Sequence, residues 1–177
     1  PVDIEIERVH AIRATLGADA ILGVDANGGL SGEDTSRFCE GIADCDVAFI
    51  EQPLPPGMEH ETSVLARNSR IPFALDESVS TLDDLQFLAR EVGFRGASLK
   101  SIKFGGLSAL RTAVSFCKLH GLSVNLANKV AETSISSAAL AHAAAALPEP
   151  EWGVSLTHSY LATDVCTEPV VVTGGQV

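Results

Sequence analysis

Nowhere in this sequence does a block of lysine or arginine offset the acid. The 12 Lys and Arg stand against 23 Asp and Glu, a net charge of −11. Such a chain offers no electrostatic footprint for nucleic acid or an anionic membrane, and neither is expected as a partner. A membrane span is missing too: no apolar run approaches the ~18 residues one needs. The apolar-rich stretch Ala138 to Leu147 is too short, and His142 interrupts it. No signal peptide is expected. Cysteine is scarce, and Cys39, Cys45, Cys117 and Cys166 show neither CxxC spacing nor the density of a disulfide scaffold. They read as reduced, mostly buried thiols of a cytoplasmic protein.

What the chain does have is apolar mass, 46% of 177 residues, enough for one sizeable core and a single domain. Apolar runs begin near positions 21, 47, 71, 97, 122 and 152, one about every 25 residues. Between them lie amphipathic segments. A helix is expected over 3–16, with Ile4, Val9, Ile12 and Leu16 as its apolar stripe and Gly17 as its stop. Ser31 N-caps a second helix ending near Asp44, with Phe38, Cys39 and Ile42 inward. Helices over 59–68, over 82–92 behind the N-cap Thr81, over 108–119, and from Thr133 or Ser134 to Leu147 complete the series. Near-continuous apolar strands alternating with such helices mean an α/β protein with a parallel sheet covered on both faces. Two architectures fit, an open doubly wound sheet or part of a (β/α)8 barrel.

Four of the runs end in an ionisable residue. Asp25 closes Ile21–Val24, Glu51 closes Val47–Ile50, Asp76 closes Ile71–Leu75, and Lys100 closes Gly96–Leu99. The carboxyl ends of parallel strands are where α/β proteins place their chemistry. Successive parallel strands usually lie side by side, so Asp25, Glu51 and Asp76 should converge on one rim. Three converging carboxylates repel, and a cation is the ordinary way to hold them. Oxygen-only ligands favour a hard ion, Mg²⁺ first and Mn²⁺ second. Lys100 would stand beside that cation, its pKa lowered enough to act as a base. A metal that binds a substrate carboxylate and a lysine that removes the α-proton together make an enediolate-forming site.

These residues carry a resemblance. Val24-Asp25-Ala26-Asn27-Gly28, Ile50-Glu51-Gln52-Pro53-Leu54, Leu75-Asp76-Glu77-Ser78 and Leu99-Lys100-Ser101-Ile102-Lys103-Phe104-Gly105-Gly106 resemble the barrel motifs of the enolase superfamily, above all its muconate lactonizing enzyme subgroup. The gaps of 26, 25 and 24 residues between the four charged positions agree with it. The resemblance runs over nearly the whole chain. It implies a partial (β/α)8 TIM barrel, about strands 3 to 8 with their helices, incomplete at both ends. It implies Mg²⁺ on Asp25, Glu51 and Asp76, with Lys100 as one acid/base catalyst. Lys103 matches the second lysine of the loop, equally suited to supporting it. Glu77 and Asn27 correspond to positions near the metal, and Asp164 to an acid after strand 8. Glu132 resembles a rim glutamate after strand 7, and a first-turn acid favoured by the helix dipole fits it equally. Lys129, His158 and Tyr160 are placed near the rim, where surface positions suit them as well. His10, His60 and His120 belong to helices and need no role, and His142 is expected packed or at an edge.

Two parts of the subgroup's pattern are absent from the sequence: the Lys-x-Lys at the end of strand 2, and the N-terminal capping domain. Six strand-helix units also fall short of the eight of a whole barrel. The expectation is a fragment of a longer enzyme, inactive alone, whose full-length form is a homo-oligomer acting on a small-molecule carboxylate. The expected reaction is racemisation or epimerisation of amino-acid derivatives or dipeptides, or cycloisomerisation. Dehydration of a hydroxy acid or hydroxyproline uses the same parts. A receiver-like Mg²⁺-binding module and a non-catalytic relic are the readings of another class.

Overall fold

Parallel order decides between the two architectures. In a computed structural model, which describes residues 1–91 and 93–177, six strands form one sheet in the order β1-β2-β3-β4-β5-β6, each paired parallel to the next. They are β1 Leu22–Asp25, β2 Val47–Glu51, β3 Phe73–Leu75, β4 Phe94–Leu99, β5 Ser123–Ala127 and β6 Val154–Ser155. A doubly wound sheet, the receiver-like kind included, reverses its strand order at a switch point. This one never reverses. Right-handed crossovers taken always in the same direction put every helix on one face. The sheet therefore curls into a partial (β/α)8 barrel, with the helices outside.

The helices are α1 Val2–Leu16, α2 Gly32–Gly41, α3 Glu59–Asn68, α4 Leu82–Arg90, α5 Ser101–Phe104, α6 Leu107–Leu119 and α7 Ser134–Ala146. Ser31 caps α2 by accepting from Asp34 N, and Thr81 with Asp84 makes a full capping box on α4. The α2 helix stops at Gly41, short of the expected Asp44, though Phe38, Cys39 and Ile42 are buried as expected. Val92, the expected end of α4, lies outside the described residues. Residues 101–104, expected as loop, form the single turn α5, ended by left-handed Gly105.

The stripe expected on α1 is corrected. Ile4, Ile12 and Leu16 are exposed, and the inward positions are Val2, Ile6 and Val9. Arg13 continues that inward line, so a count of apolar residues alone misses it. Its guanidinium donates to four backbone carbonyls: Cys45 at 2.7 Å, Gly17 and Ala20 at 2.8 Å, and Asp46 at 3.0 Å. A cation so fully bonded can sit where an apolar side chain was expected.

The main core lies between sheet and helices, with Ile50, Leu99, Val124 and Leu126 from the strands meeting Leu85, Leu88, Leu110 and Leu140 from the helices. On the concave side, Phe49 of β2 stacks on Trp152 with ring centroids 4.4 Å apart. That stack needs Gly96, where a Cβ would lie 2.1 Å from the carbonyl oxygen of Ser123 and 2.5 Å from the indole. The obstacle is partly backbone and cannot rotate away. Gly96→Ala is therefore expected to lower stability by about 3 kcal/mol, and an unchanged urea midpoint would contradict the packing described.

Candidate active site

Register places the four charged residues at neighbouring strand ends. Asp25 pairs directly with Glu51, and Glu51 pairs with Ala74, two residues before Asp76. Ala74 pairs with Gly96, so Ser98 and Lys100 share that face by strand alternation. The loops beyond β1 and β2 stay zipped: Ala26 N donates to Glu51 O, Gly28 N to Gln52 O and Leu30 N to Pro53 O. Asp25 Oδ1 accepts from the backbone N–H of Asn27 at 2.8 Å, closing the turn in which Asn27 takes φ 47°. Asn27 thus shapes the Asp25 loop through its backbone.

Glu51 is only 5% exposed. Its Oε2 accepts from Ser98 Oγ at 2.5 Å, and the same hydroxyl accepts from Asn125 Nδ2 at 3.1 Å. Burial pushes the Glu51 carboxyl up to about 7, with the charges of Asp25 and Asp76 adding to it against the Ser98 bond and Lys100. Asp76 is 1% exposed and is gripped by two lysines. Lys100 Nζ donates to its Oδ2, while Lys103 Nζ donates to its Oδ1 at 2.8 Å and to its carbonyl oxygen. Burial pushes Asp76 up, but the lysines outweigh it and hold the carboxyl below its ordinary value.

With protein groups alone, Lys100 runs opposite to the lowered pKa expected of it. Burial pulls it down, yet Asp76, Glu51 and Glu77 together raise it. Three acids surround this ammonium, and nothing cationic on the protein offsets them enough. Glu77 is exposed at the same rim, its carboxyl raised by burial and then by the charges of Asp76 and Asp25. Lys103 touches the Asp76 carboxylate and ties the β4 loop to that of β3.

Sequence reasoning gave no role to Gln52, Ser98 or Asn125. Gln52, at φ 39° and fully buried, accepts on Oε1 from the N–H groups of Asp76 and Ser78 and donates from Nε2 to Leu54 O and Ser78 Oγ. It fixes the backbone that presents Asp76. Ser98 and Asn125 are polar residues inside apolar runs, and they pair in register across β4 and β5. That interruption was the available signal. Asn125 Oδ1 is buried without a partner among the described residues.

The remaining candidates lie elsewhere. Glu132 precedes α7 and closes its own turn, accepting from Lys129 N at 2.5 Å and from Asn128 Nδ2 at 3.3 Å, so it is no first-turn acid. Asp164 caps α7 from 30 residues away, taking Ser134 N at 2.9 Å and Ser134 Oγ at 2.8 Å on one oxygen. Thr133, the residue at the cap position, makes no such bond. Lys129 and Tyr160 are exposed, and so is His142. His158 is buried rather than superficial, with Nε2 against Val170 O at 2.9 Å. The four cysteines are free, three of them buried. A groove of about 1500 Å³ runs between α7 and the C-terminal segment, away from the four charged strand ends.

Chemically, the strand-end donor set is carboxylate oxygen alone, which suits a hard divalent cation. The buried Glu51 carboxyl, pushed up to about 7 by burial and then by two neighbouring acids, lacks the positive charge such an ion supplies. The residues fit it. Their oxygens are not drawn into one tight cluster, however. Among the described residues, three potential ligand atoms all within 4.8 Å of one another occur at His10, Asp44 and Cys45 instead. Asp76 is committed to its lysines, and the acids stand apart as like charges do.

Residues 1–177 match the family model described as enolase C-terminal domain-like. A hydrophobic dipeptide epimerase of Roseobacter litoralis is 35% identical over 126 residues, covering 71% of this chain and 36% of that protein. A cis-3-hydroxy-L-proline dehydratase of Roseibium aggregatum is 31% identical over 164 residues, covering 91% and 43%. The crystal structure of a muconate lactonizing enzyme from Pseudomonas fluorescens complexed with muconolactone superposes with a TM-score of 0.90 at 28% identity, covering 97% of this chain and 46% of that one. The chain spans less than half the length of each of these relatives.

Proposed function

The chain belongs to the enolase C-terminal domain-like family, and on that premise we propose that it carries the metal-and-lysine half of a site that moves the proton α to a substrate carboxylate. Asp25, Glu51 and Asp76 hold a divalent cation, Mg²⁺ or less readily Mn²⁺. Lys100 takes or returns the α-proton on one face. A bound cation supplies Lewis-acid stabilisation of the charge that grows on the substrate carboxylate. Everything else falls to the chain itself. Gln52 and the Asn27 turn fix the loops, Ser98 with Asn125 orients Glu51, and Lys103 neutralises Asp76 beside the base. Glu77 supports the rim. Glu132 and Asp164 shape the neighbouring loops, on the geometry described above, without touching the reacting atoms.

The observation that carries this reading is the contact of the Lys100 ammonium with the buried Asp76 carboxylate, next to Glu51 raised to about 7. Groups with pKa values displaced by burial and specific charged partners mark functional sites. Epimerisation of a dipeptide or an amino-acid derivative is the leading reaction, in keeping with the 35% identical relative. Dehydration is the second reading, favoured by the hydroxyproline dehydratase that aligns over 91% of the chain. The rest of the barrel and a capping segment complete the site in a full-length, homo-oligomeric cytoplasmic enzyme. The test is exchange in D₂O. Full-length protein incubated with hydrophobic dipeptides, then with hydroxyprolines, should wash out the α-proton only when Mg²⁺ is present. Exchange unaffected by a chelator would overturn the metal's part, and none with any α-carboxylate would overturn the reaction.

A further inference from the structure

Just before β2, at the opposite end of that strand from Glu51, the histidine that the sequence gave no role meets a cysteine. His10 Nδ1 lies 3.3 Å from Cys45 Sγ, while His10 Nε2 lies 2.8 Å from the carbonyl oxygen of Gly41. A carbonyl only accepts, so Nε2 must carry the hydrogen and Nδ1 is left with its lone pair facing the sulfur. Asp44 Oδ1 is 3.8 Å from that sulfur and 3.7 Å from Nε2. One nitrogen, one sulfur and one oxygen thus stand within 4.8 Å of one another. We propose that His10, Asp44 and Cys45 form a second metal site, for Zn²⁺ or a similar borderline-soft divalent ion, with solvent in the fourth position.

Ligand chemistry and preorganisation support the assignment. Imidazole, thiolate and carboxylate are the donors that tetrahedral zinc takes, at ~2.0–2.3 Å each, and tetrahedral angles at such lengths set ligand atoms roughly 3.3–3.8 Å apart. The N···S and S···O separations fall in that range. The His10 ring is already oriented by its second nitrogen on a backbone carbonyl, the arrangement that fixes tautomer and angle at metal-bound histidines. Arg13, one turn beyond His10, binds Cys45 O and Asp46 O and so locks the ligand-bearing turn to α1. The guanidinium spends its hydrogens on four carbonyls, and these bonds leave Sγ and the Asp44 carboxylate to a cation. Cys45 is 2% exposed, whereas His10 and Asp44 are exposed and open the path for the ion. Binding breaks the Cys45 S–H bond and forms a metal–sulfur bond, and the proton leaves to solvent. No oxidation is involved.

Co²⁺ is the probe, because a thiolate ligand gives it a near-ultraviolet charge-transfer band and intense tetrahedral visible bands that carboxylates alone do not. Titration of the chelator-treated protein should give one thiolate-bound Co²⁺ per chain, displaced by one equivalent of Zn²⁺. The band should vanish in Cys45→Ala and in His10→Ala, the latter an exposed change that spares the core. It should survive Cys166→Ala and Asp25→Asn. Absence of the band, or its persistence in either His10→Ala or Cys45→Ala, would overturn the proposal. Circular dichroism of each variant separates loss of the ion from loss of the fold.

Discussion

Lys100→Ala is expected to lower α-proton exchange by ~10²–10⁴-fold in the full-length protein, the usual worth of a positioned acid/base group, with little change in KM. The reason is position. Lys100 stands on the strand end beside Asp76, and its amine is the group that reaches from β4 to that carboxylate. The variant should still fold, because Asp76 keeps Lys103 Nζ at 2.8 Å and the N–H group that Gln52 holds. Lys103→Ala gives the contrast. Its nitrogen also bonds the backbone carbonyl of Asp76, so its loss should loosen the β3–β4 loops and affect stability more than exchange. If Lys103→Ala stopped exchange and Lys100→Ala did not, the two lysines would trade places in the account.

Stability of the chelator-treated protein is expected to fall by ~3 kcal/mol between about pH 4.5 and 7, at 1.4 kcal/mol per unit of pKa displacement, and Glu51→Gln should remove that slope. Glu51 keeps its proton up to about 7 when folded but releases it near its ordinary 4.5 when unfolded. Through that window the native state binds more protons than the unfolded one, so stability falls as pH rises and levels off above 7. Glutamine keeps the shape, and its oxygen still accepts from Ser98. At pH 8 the Glu51→Gln protein should therefore be the more stable. Asp76→Asn should do the reverse. Asp76 is held below its ordinary value, so its contribution is present above about 3.8 and is lost only as pH falls through the folded value. Removing its charge at pH 7 takes from two largely buried ammonium groups the carboxylate that both contact, at a cost of about 3 kcal/mol. Urea midpoints across pH, at constant slope, read both. A Glu51→Gln protein less stable than the parent at pH 8 would contradict the burial argument.

The strand ends were legible in the sequence because each charge terminates an apolar run, and such a run has one way to sit in a buried parallel strand. Periodicity also fixed the helices where caps were local, as at Ser31 and Thr81. It failed where a polar side chain replaced an apolar one in the packing. Arg13 took an inward position on α1 by bonding four carbonyls, and the stripe was read one face away. Distance along the chain hid the rest. Asp164 caps α7 across 30 residues, and the Glu51–Ser98–Asn125 ladder joins three strands whose register no single run reveals. His158 was read as rim or surface and is buried under the C-terminal segment. The lysines' grip on Asp76 follows from register too, since Lys100 at the end of β4 and Lys103 one turn on in α5 can meet a single carboxylate only when β3 lies beside β4.

Asp25, Glu51 and Asp76 are proposed to act together as one divalent-cation site beside Lys100. The decisive experiment titrates chelator-treated protein with Mg²⁺ and follows its unfolding at pH 8. Saturable stabilisation of RT ln(1 + [Mg²⁺]/Kd), about 2.7 kcal/mol at a hundredfold excess over Kd, is expected, together with loss of the Glu51 pH slope. Both should disappear in Asp25→Asn and Asp76→Asn. Stabilisation that survives those two substitutions, or none at all in the parent chain, would contradict it.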